Sequence, residues 1–306
     1  MAAAAFLAFC GATASARTVD SDDDSSFLRD GRLFRFDYAN DLFASRDRYF
    51  TQGYGFDFYH PALKASPLMR LLPALPGESA YGLTFRHCGF TPTSLFSDAP
   101  RRGDRPFASY LFLGHVRVSR DERLGLTLTA ELDGGILGQG AGGKWIQVGL
   151  HRALGNQLPH GWDNQIRNDA VLNFSGRLEK ALISRAWFDG GAFVDAAAGT
   201  LYTNAGLGLK GRLGAPARNG KRAYLFVLVD EKAVGYDATL QGGLFNRGSP
   251  YTLRAAQVER LVARGDIGFA LDRGGWVFVF TRSFQSREFK DGLAHQWGEL
   301  SFIKRF

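Results

Sequence analysis

Four side-chain types stand at places where they could do ester chemistry together. Asn40-Asp41 sets an amide beside a carboxylate, Tyr49-Phe50-Thr51 ends on a hydroxyl, and His151 supplies an imidazole. Carboxylate, amide and hydroxyl oxygens suit a hard cation. An imidazole can take a proton from water near neutral pH. Each piece also has a plainer reading. Asn-Asp at a strand end is usually a turn, and a lone loop histidine is usually a surface residue. The question is which elements bring these residues to one place.

Competing motifs do not survive their context. Residues 206–211 spell GxGxxG but lie inside an alternating strand pattern, whereas dinucleotide binding needs a strand-to-helix turn there. Residues 138–144 spell GxxxxGK, yet Trp145 replaces the Ser/Thr that would hold magnesium, and no βαβ pattern surrounds it. There is no GxSxG and no HExxH, and the six histidines show no metal-ligand spacing.

The elements are written in alternation. Aromatics at 34, 36 and 38 alternate with Arg35 and Asp37, and aromatics at 50, 54, 56 and 58 alternate with Thr51, Gly53, Gly55 and Asp57. Leu207, Leu209 and Leu213 oppose Gly206, Gly208, Lys210 and Arg212. Strands of 10 residues or more, greasy on one face and charged on the other, suit a barrel in lipid better than a soluble sandwich. The pattern predicts an all-β fold, a twelve-stranded antiparallel transmembrane β-barrel. Its strands fall at about 31–40, 48–60, 79–90, 106–119, 123–137, 169–181, 186–200, 202–214, 221–234, 253–271, 276–288 and 295–306. Links 120–122, 181–185 and 272–275 are short and share one side, while 91–105, 138–168 and 235–252 are long and share the other, as in outer-membrane barrels. The exception is 61–78, a long link on the short side with a helical-looking centre at 63–75. On this parity Asn40, Asp41, Thr51 and His151 meet at the outside rim, around one opening. Phe306 closes the last strand on an aromatic, although Lys304 interrupts its phase.

Composition agrees. With 45% hydrophobic and 13% aromatic residues the 306-residue chain is not disordered. Beyond the N-terminus its longest apolar run spans only residues 223–229, far below the roughly 20 that a spanning helix needs. The formal charge of +7 points to an anionic partner, and its spread along the chain fits a distributed surface and not a nucleic-acid arm. Residues 1–16 read as a signal peptide cut after Ala16, and 17–28 as an acidic, solvated linker, leaving 29–306 for the barrel. Phe9 argues against lipidation at Cys10, and after cleavage Cys88 reads as a buried free thiol.

Several blocks together resemble the lipid A 3′-O-deacylase (LpxR) family. They are Asn40-Asp41, residues 47–53 (DRYFTQG), 103–108 (GDRPFA), 147–169, Leu240-Gln241-Gly242 and the aromatic end. The resemblance implies a bacterial outer-membrane barrel that removes the 3′-linked acyloxyacyl group of lipid A with Ca2+. Its partners would be lipid A and lipopolysaccharide of the outer leaflet. The barrel would be membrane-embedded, with a monomer expected and no nucleic acid. His151 would activate water, Asn40 and Thr51 would shape the carbonyl site, and Asp41 with Asn40 would hold calcium. Gln157 would occupy the position of a catalytic glutamate six residues after the histidine. A lysine that some members carry between the third and fourth strands is missing, leaving Arg101 or Arg102 as substitutes. These two departures keep alternatives open: a non-enzymatic barrel for lipid packing, adhesion or solute passage, and a phospholipase with the same chemistry.

Overall fold

The alternating segments pair with their neighbours all the way round. The computed structural model describes residues 27–28, 30–41, 48–214 and 221–306. The strands are β1 (Leu33–Asn40), β2 (Tyr49–Tyr59), β3 (Glu78–Thr91), β4 (Ala108–Asp121), β5 (Leu126–Leu137), β6 (Asp169–Ser184), β7 (Phe188–Gly199), β8 (Tyr202–Gly214), β9 (Lys221–Asp237), β10 (Leu261–Arg273), β11 (Trp276–Gln285) and β12 (His295–Arg305). They form one closed barrel, sealed by antiparallel pairing of β1 with β12, where Phe36 faces Phe302 and Asp37 faces Ser301. Among the described residues no helix is long and apolar enough to cross a membrane.

The polarity of the two faces separates this barrel from a soluble sandwich. Leu113, Leu207, Val227 and Ile267 stand exposed on the outside, while the inside is charged and buried. Arg86 donates to both oxygens of Asp57 at 2.7 and 3.0 Å, Arg177 to Asp195 at 2.8 Å, and Arg264 to Asp266 at 2.9 Å. A charge taken out of water alone costs several kcal/mol, so an interior this polar is tolerable only when its groups are paired. The arrangement matches a chain whose outer solvent is hydrocarbon.

The short-turn end is closed from within. Phe27 and Leu28, at the boundary of the expected solvated linker, are buried, and Phe27 packs edge-on against Tyr59 at 5.1 Å. The remainder of that linker and the expected signal peptide lie outside the described residues. Cys88 is fully buried. The long link after β2 is not one helix: Pro61 and Pro67 each open a short 3₁₀ turn, Pro61–Ala65 and Pro67–Leu71. These turns pack on the outside of the wall. Ser66 pairs with His115 at 3.0 Å, and Met69 and Leu72 cover Ala130. Lys304 also points outward there, its ammonium 4.8 Å from the Trp276 ring, so a cation at the strand end is accommodated without breaking the pairing.

The long-loop end carries a lid. Its keystone is Arg105, which donates to Glu288 and to Thr239 Oγ1, each at 2.9 Å, and lies 4.3 Å from the Phe90 ring centre. Asp104 accepts from the Thr93 amide at 2.8 Å, and the Tyr251 hydroxyl bridges Gly103 N and the Asp104 carbonyl. The expected tenth strand begins eight residues early: 253–260 belong to this lid, and β10 starts at Leu261. The link between β5 and β6 contains a helix, α1 (Gly143–Leu154), and β9 runs into a short helix, α2 (Ala238–Gln241).

Candidate active site

On β1, Phe34, Phe36 and Tyr38 point to the lipid side, and Asn40 continues that phase. Register then places Gly298, Asn40, Gln52, Gly89 and Ser109 in one row across β12, β1, β2, β3 and β4. Thr51 joins this row through a bulge: pairing with β3 slips between Phe50 and Gln52, which leaves Thr51 as the extra residue. Tyr49, just before it, has φ 67, a left-handed backbone that a bulky residue adopts only under constraint from its surroundings. The tyrosine ring is held against Phe289 at 5.5 Å, and its hydroxyl accepts from Leu293 N at 3.1 Å.

Helix α1 lies over this row. Its buried residues are Gly143, Gln147 and His151, spaced by four and so on one face. Gly143 must be glycine: a Cβ there would come within 2.5 Å of Ser109 Cβ and 2.8 Å of the Trp162 ring. Gln147 Nε2 donates to Thr51 Oγ1 at 3.0 Å, while its Oε1 accepts from Trp162 Nε1 at 2.6 Å. Gln147 thus fixes helix, wall and the 161–164 turn to one another. One turn on, His151 is 9% exposed and its Nδ1 lies 2.7 Å from the Gln157 carbonyl. A carbonyl only accepts, so Nδ1 carries the proton and the ring's lone pair resides on Nε2.

Of the expected site residues, Thr51 is held to α1 through Gln147, and His151 follows Gln147 one turn along the buried face of that helix. Asn40 is on the same outward row of the wall as Gln52, next to Thr51, and not on the lumen side. Asp41 ends β1 beside them, and its Oδ2 accepts from Arg48 N at 2.8 Å, which ties the β1–β2 connection. The Gln157 side chain is exposed, and its position acts on His151 through the main chain. Arg101 pairs with Asp104 at 3.5 Å in the lid, so it offers no cation under α1. Sequence reasoning missed Gln52 and Gln147. Gln52 shares the outward phase of Tyr54 and Phe56, and that phase was the available signal.

Comparison with known proteins decides the family. The family described as outer membrane protein LpxR matches residues 1–306, the whole chain. The chain belongs to the LpxR family. It is an outer-membrane β-barrel, so the long-loop end is extracellular. LpxR from Salmonella typhimurium has a similar structure, with a TM-score of 0.74 and 19% identity over 90% of this chain and 100% of that one. The β domain of the Bordetella autotransporter BrkA is similar at a TM-score of 0.51 and 8% identity, over 90% of this chain and 99% of that one. At those identities both likenesses speak for the fold alone. No curated protein sequence matches the chain at a significant level.

Proposed function

We propose that the protein is an outer-leaflet hydrolase that removes the 3′-linked acyloxyacyl group of lipid A. The observation that carries this reading is the position of His151, an oriented base held on the lipid side of the wall at the extracellular end. A base inside the lumen would serve a solute; a base on this side serves a lipid arriving from the leaflet. His151 Nε2 takes a proton from water as the water oxygen bonds to the ester carbonyl carbon. The carbon–oxygen bond to the sugar then breaks, and the proton passes to the departing sugar oxygen. The products are an acyloxyacyl acid and a free 3′ hydroxyl.

Calcium fits the donor chemistry. Asn40, Asp41 and Gln52 are adjacent oxygen donors, and Gln52 Oε1 is buried with no hydrogen-bond partner among the described residues. Bound there, calcium would polarise the ester carbonyl and favour the oxyanion. The filled, ion-paired lumen argues against the alternative of solute passage.

The test is mass analysis of lipid A incubated with the purified barrel in calcium or chelator. The expected result is a calcium-dependent loss of the 3′ acyloxyacyl mass that falls at least about 100-fold in His151→Ala. No mass change with wild type overturns the reading, and fatty acid released from glycerophospholipid would redirect it to a phospholipase.

A further inference from the structure

The periplasmic end of the wall has a step. β6 runs on past its last partner on β5, Leu126 opposite Lys180, and continues to Ser184 in pairing with β7. The β4–β5 turn stops short beside it: Gly125 is left-handed at φ 57, and its carbonyl accepts from Ala181 N at 3.1 Å. Lys180 Nζ donates to the Leu124 carbonyl and braces the turn against the strand. Between turn and strand end lies a cavity of about 510 Å³, a size in the range of ligand clefts.

One wall of this cavity is cationic. Arg120, Arg123 and Lys180 line it against a single carboxylate, Glu122. Arg120 is 4% exposed, its Nε and Nη1 lack a hydrogen-bond partner, and it pairs with no carboxylate among the described residues. Arg86, Arg177 and Arg264, buried in the same barrel, each hold one. A buried guanidinium left alone is costly, so Arg120 points to an anion supplied from outside the chain. Its planar fork of donors matches the oxygens of a phosphate. The other wall is apolar: Leu124, Leu182 and Ile183 line the same cavity and are exposed. Trp187, 62% exposed in the β6–β7 turn, marks the membrane interface, where phosphate and hydrocarbon meet.

We propose that this step is a binding site for a glycerophospholipid of the periplasmic leaflet. Arg120 and Arg123 take its phosphate, joined by Lys180, which keeps two further N–H donors. Its acyl chains lie on Leu124, Leu182 and Ile183. A lipid satisfies both walls at once, whereas a free phosphate ion meets only the cations. The site is at the opposite end of the barrel from His151 and stands apart from the deacylase reading.

The experiment is native mass spectrometry of the purified barrel in detergent. It is titrated with phosphatidylglycerol, with diacylglycerol of the same chains, or with inorganic phosphate. Each variant is first shown to be a folded barrel by heat-modifiable gel migration. Wild type is expected to retain phosphatidylglycerol in preference to the other two probes. Arg120→Gln weakens that binding about 10-fold or more. Arg273→Gln, which removes an exposed cation beside another turn at the same end, leaves it unchanged. If Arg120→Gln does not fold, Lys180→Gln takes its place at an exposed position, with a loss of about threefold or more expected. Binding unchanged in the site variant overturns the proposal, and so does an equal loss in Arg273→Gln, which would report charge alone. Diacylglycerol held as tightly as phosphatidylglycerol overturns the phosphate contact. Inorganic phosphate held as tightly overturns the lipid as its source.

Discussion

His151 Nδ1 is 2.7 Å from the main-chain carbonyl of Gln157. That contact is built by the end of α1. Gly155 is left-handed at φ 70, its N–H caps the Arg152 and His151 carbonyls, and Asn156 N donates to His151 O at 2.8 Å. The chain thereby folds back and delivers the carbonyl of residue 157 to the imidazole. A main-chain carbonyl comes with any side chain, so Gln in place of Glu does not remove the group that orients this base.

The first prediction follows directly. Gln157→Ala should retain activity within about threefold, because the exposed amide is not the orienting group. Gly155→Val should lose far more, since a β-branched residue at positive φ costs roughly 1–3 kcal/mol and displaces the carbonyl. Deacylation rates of the two variants, with barrel folding checked by heat-modifiability, test the contrast. Equal losses would refute it.

Gly143→Val tests the contact between helix and wall. The new side chain would collide with Ser109 and Trp162 at distances no real Cβ tolerates, so α1 must lift. Since α1 adds nothing to the closure of the twelve strands, the barrel should fold as before. The expected outcome is a loss of activity of 10-fold or more with unchanged gel mobility, through misplacement of His151.

The sequence made the barrel legible and hid the helix, for one physical reason. Alternation survives in strands because lipid and lumen impose opposite polarity on successive residues, as at Phe34, Arg35, Phe36 and Asp37. In α1 the buried face is Gly143, Gln147 and His151, while Trp145 and Leu154 are exposed. Its apolar stripe, Ile146, Leu150 and Leu154, is partly exposed, so the stripe by which helices are read does not mark the face that packs on the wall. Strand parity places Asn40 and Thr51 at the long-loop end, and the phase that Asn40 shares with Phe36 and Tyr38 puts it on the lipid side. The lid was unreadable for another reason: Arg105, Glu288 and Thr239 are far apart in sequence, and no local pattern joins them.

The lid should loosen as pH rises. Burial pushes the Glu288 carboxyl above its ordinary value, with Arg105 opposing and the nearby Asp237 reinforcing the shift. The folded lid therefore holds its proton more tightly than the open chain does. Its contribution is fully present below the unfolded glutamate's pKa of about 4.3 and is lost as pH rises through the higher folded value. Amide hydrogen exchange across 286–294, corrected for intrinsic rates, should show falling protection over that window. Glu288→Gln should flatten the dependence while keeping an acceptor for Arg105, and an unchanged slope in that variant would rule out Glu288 as its source.

Calcium dependence should be weak in affinity and centred on Asp41. Among the described residues no three His, Cys, Asp or Glu side chains cluster as a metal site. An ion beside Asn40 and Asp41 would therefore rely on one carboxylate, amide oxygens and water. Calcium sites weaken as carboxylates are removed, and extracellular ones bind at roughly 0.1–1 mM. Half-maximal activity is expected in that range. Asp41→Asn keeps an oxygen but removes the charge, so it should raise the calcium requirement by 10-fold or more and be partly rescued by excess ion. His151→Ala should abolish turnover yet leave calcium-dependent thermal stabilisation intact, because its imidazole is assigned to the proton and not to the metal. Loss of stabilisation in His151→Ala would move His151 into the metal site and overturn that division of roles.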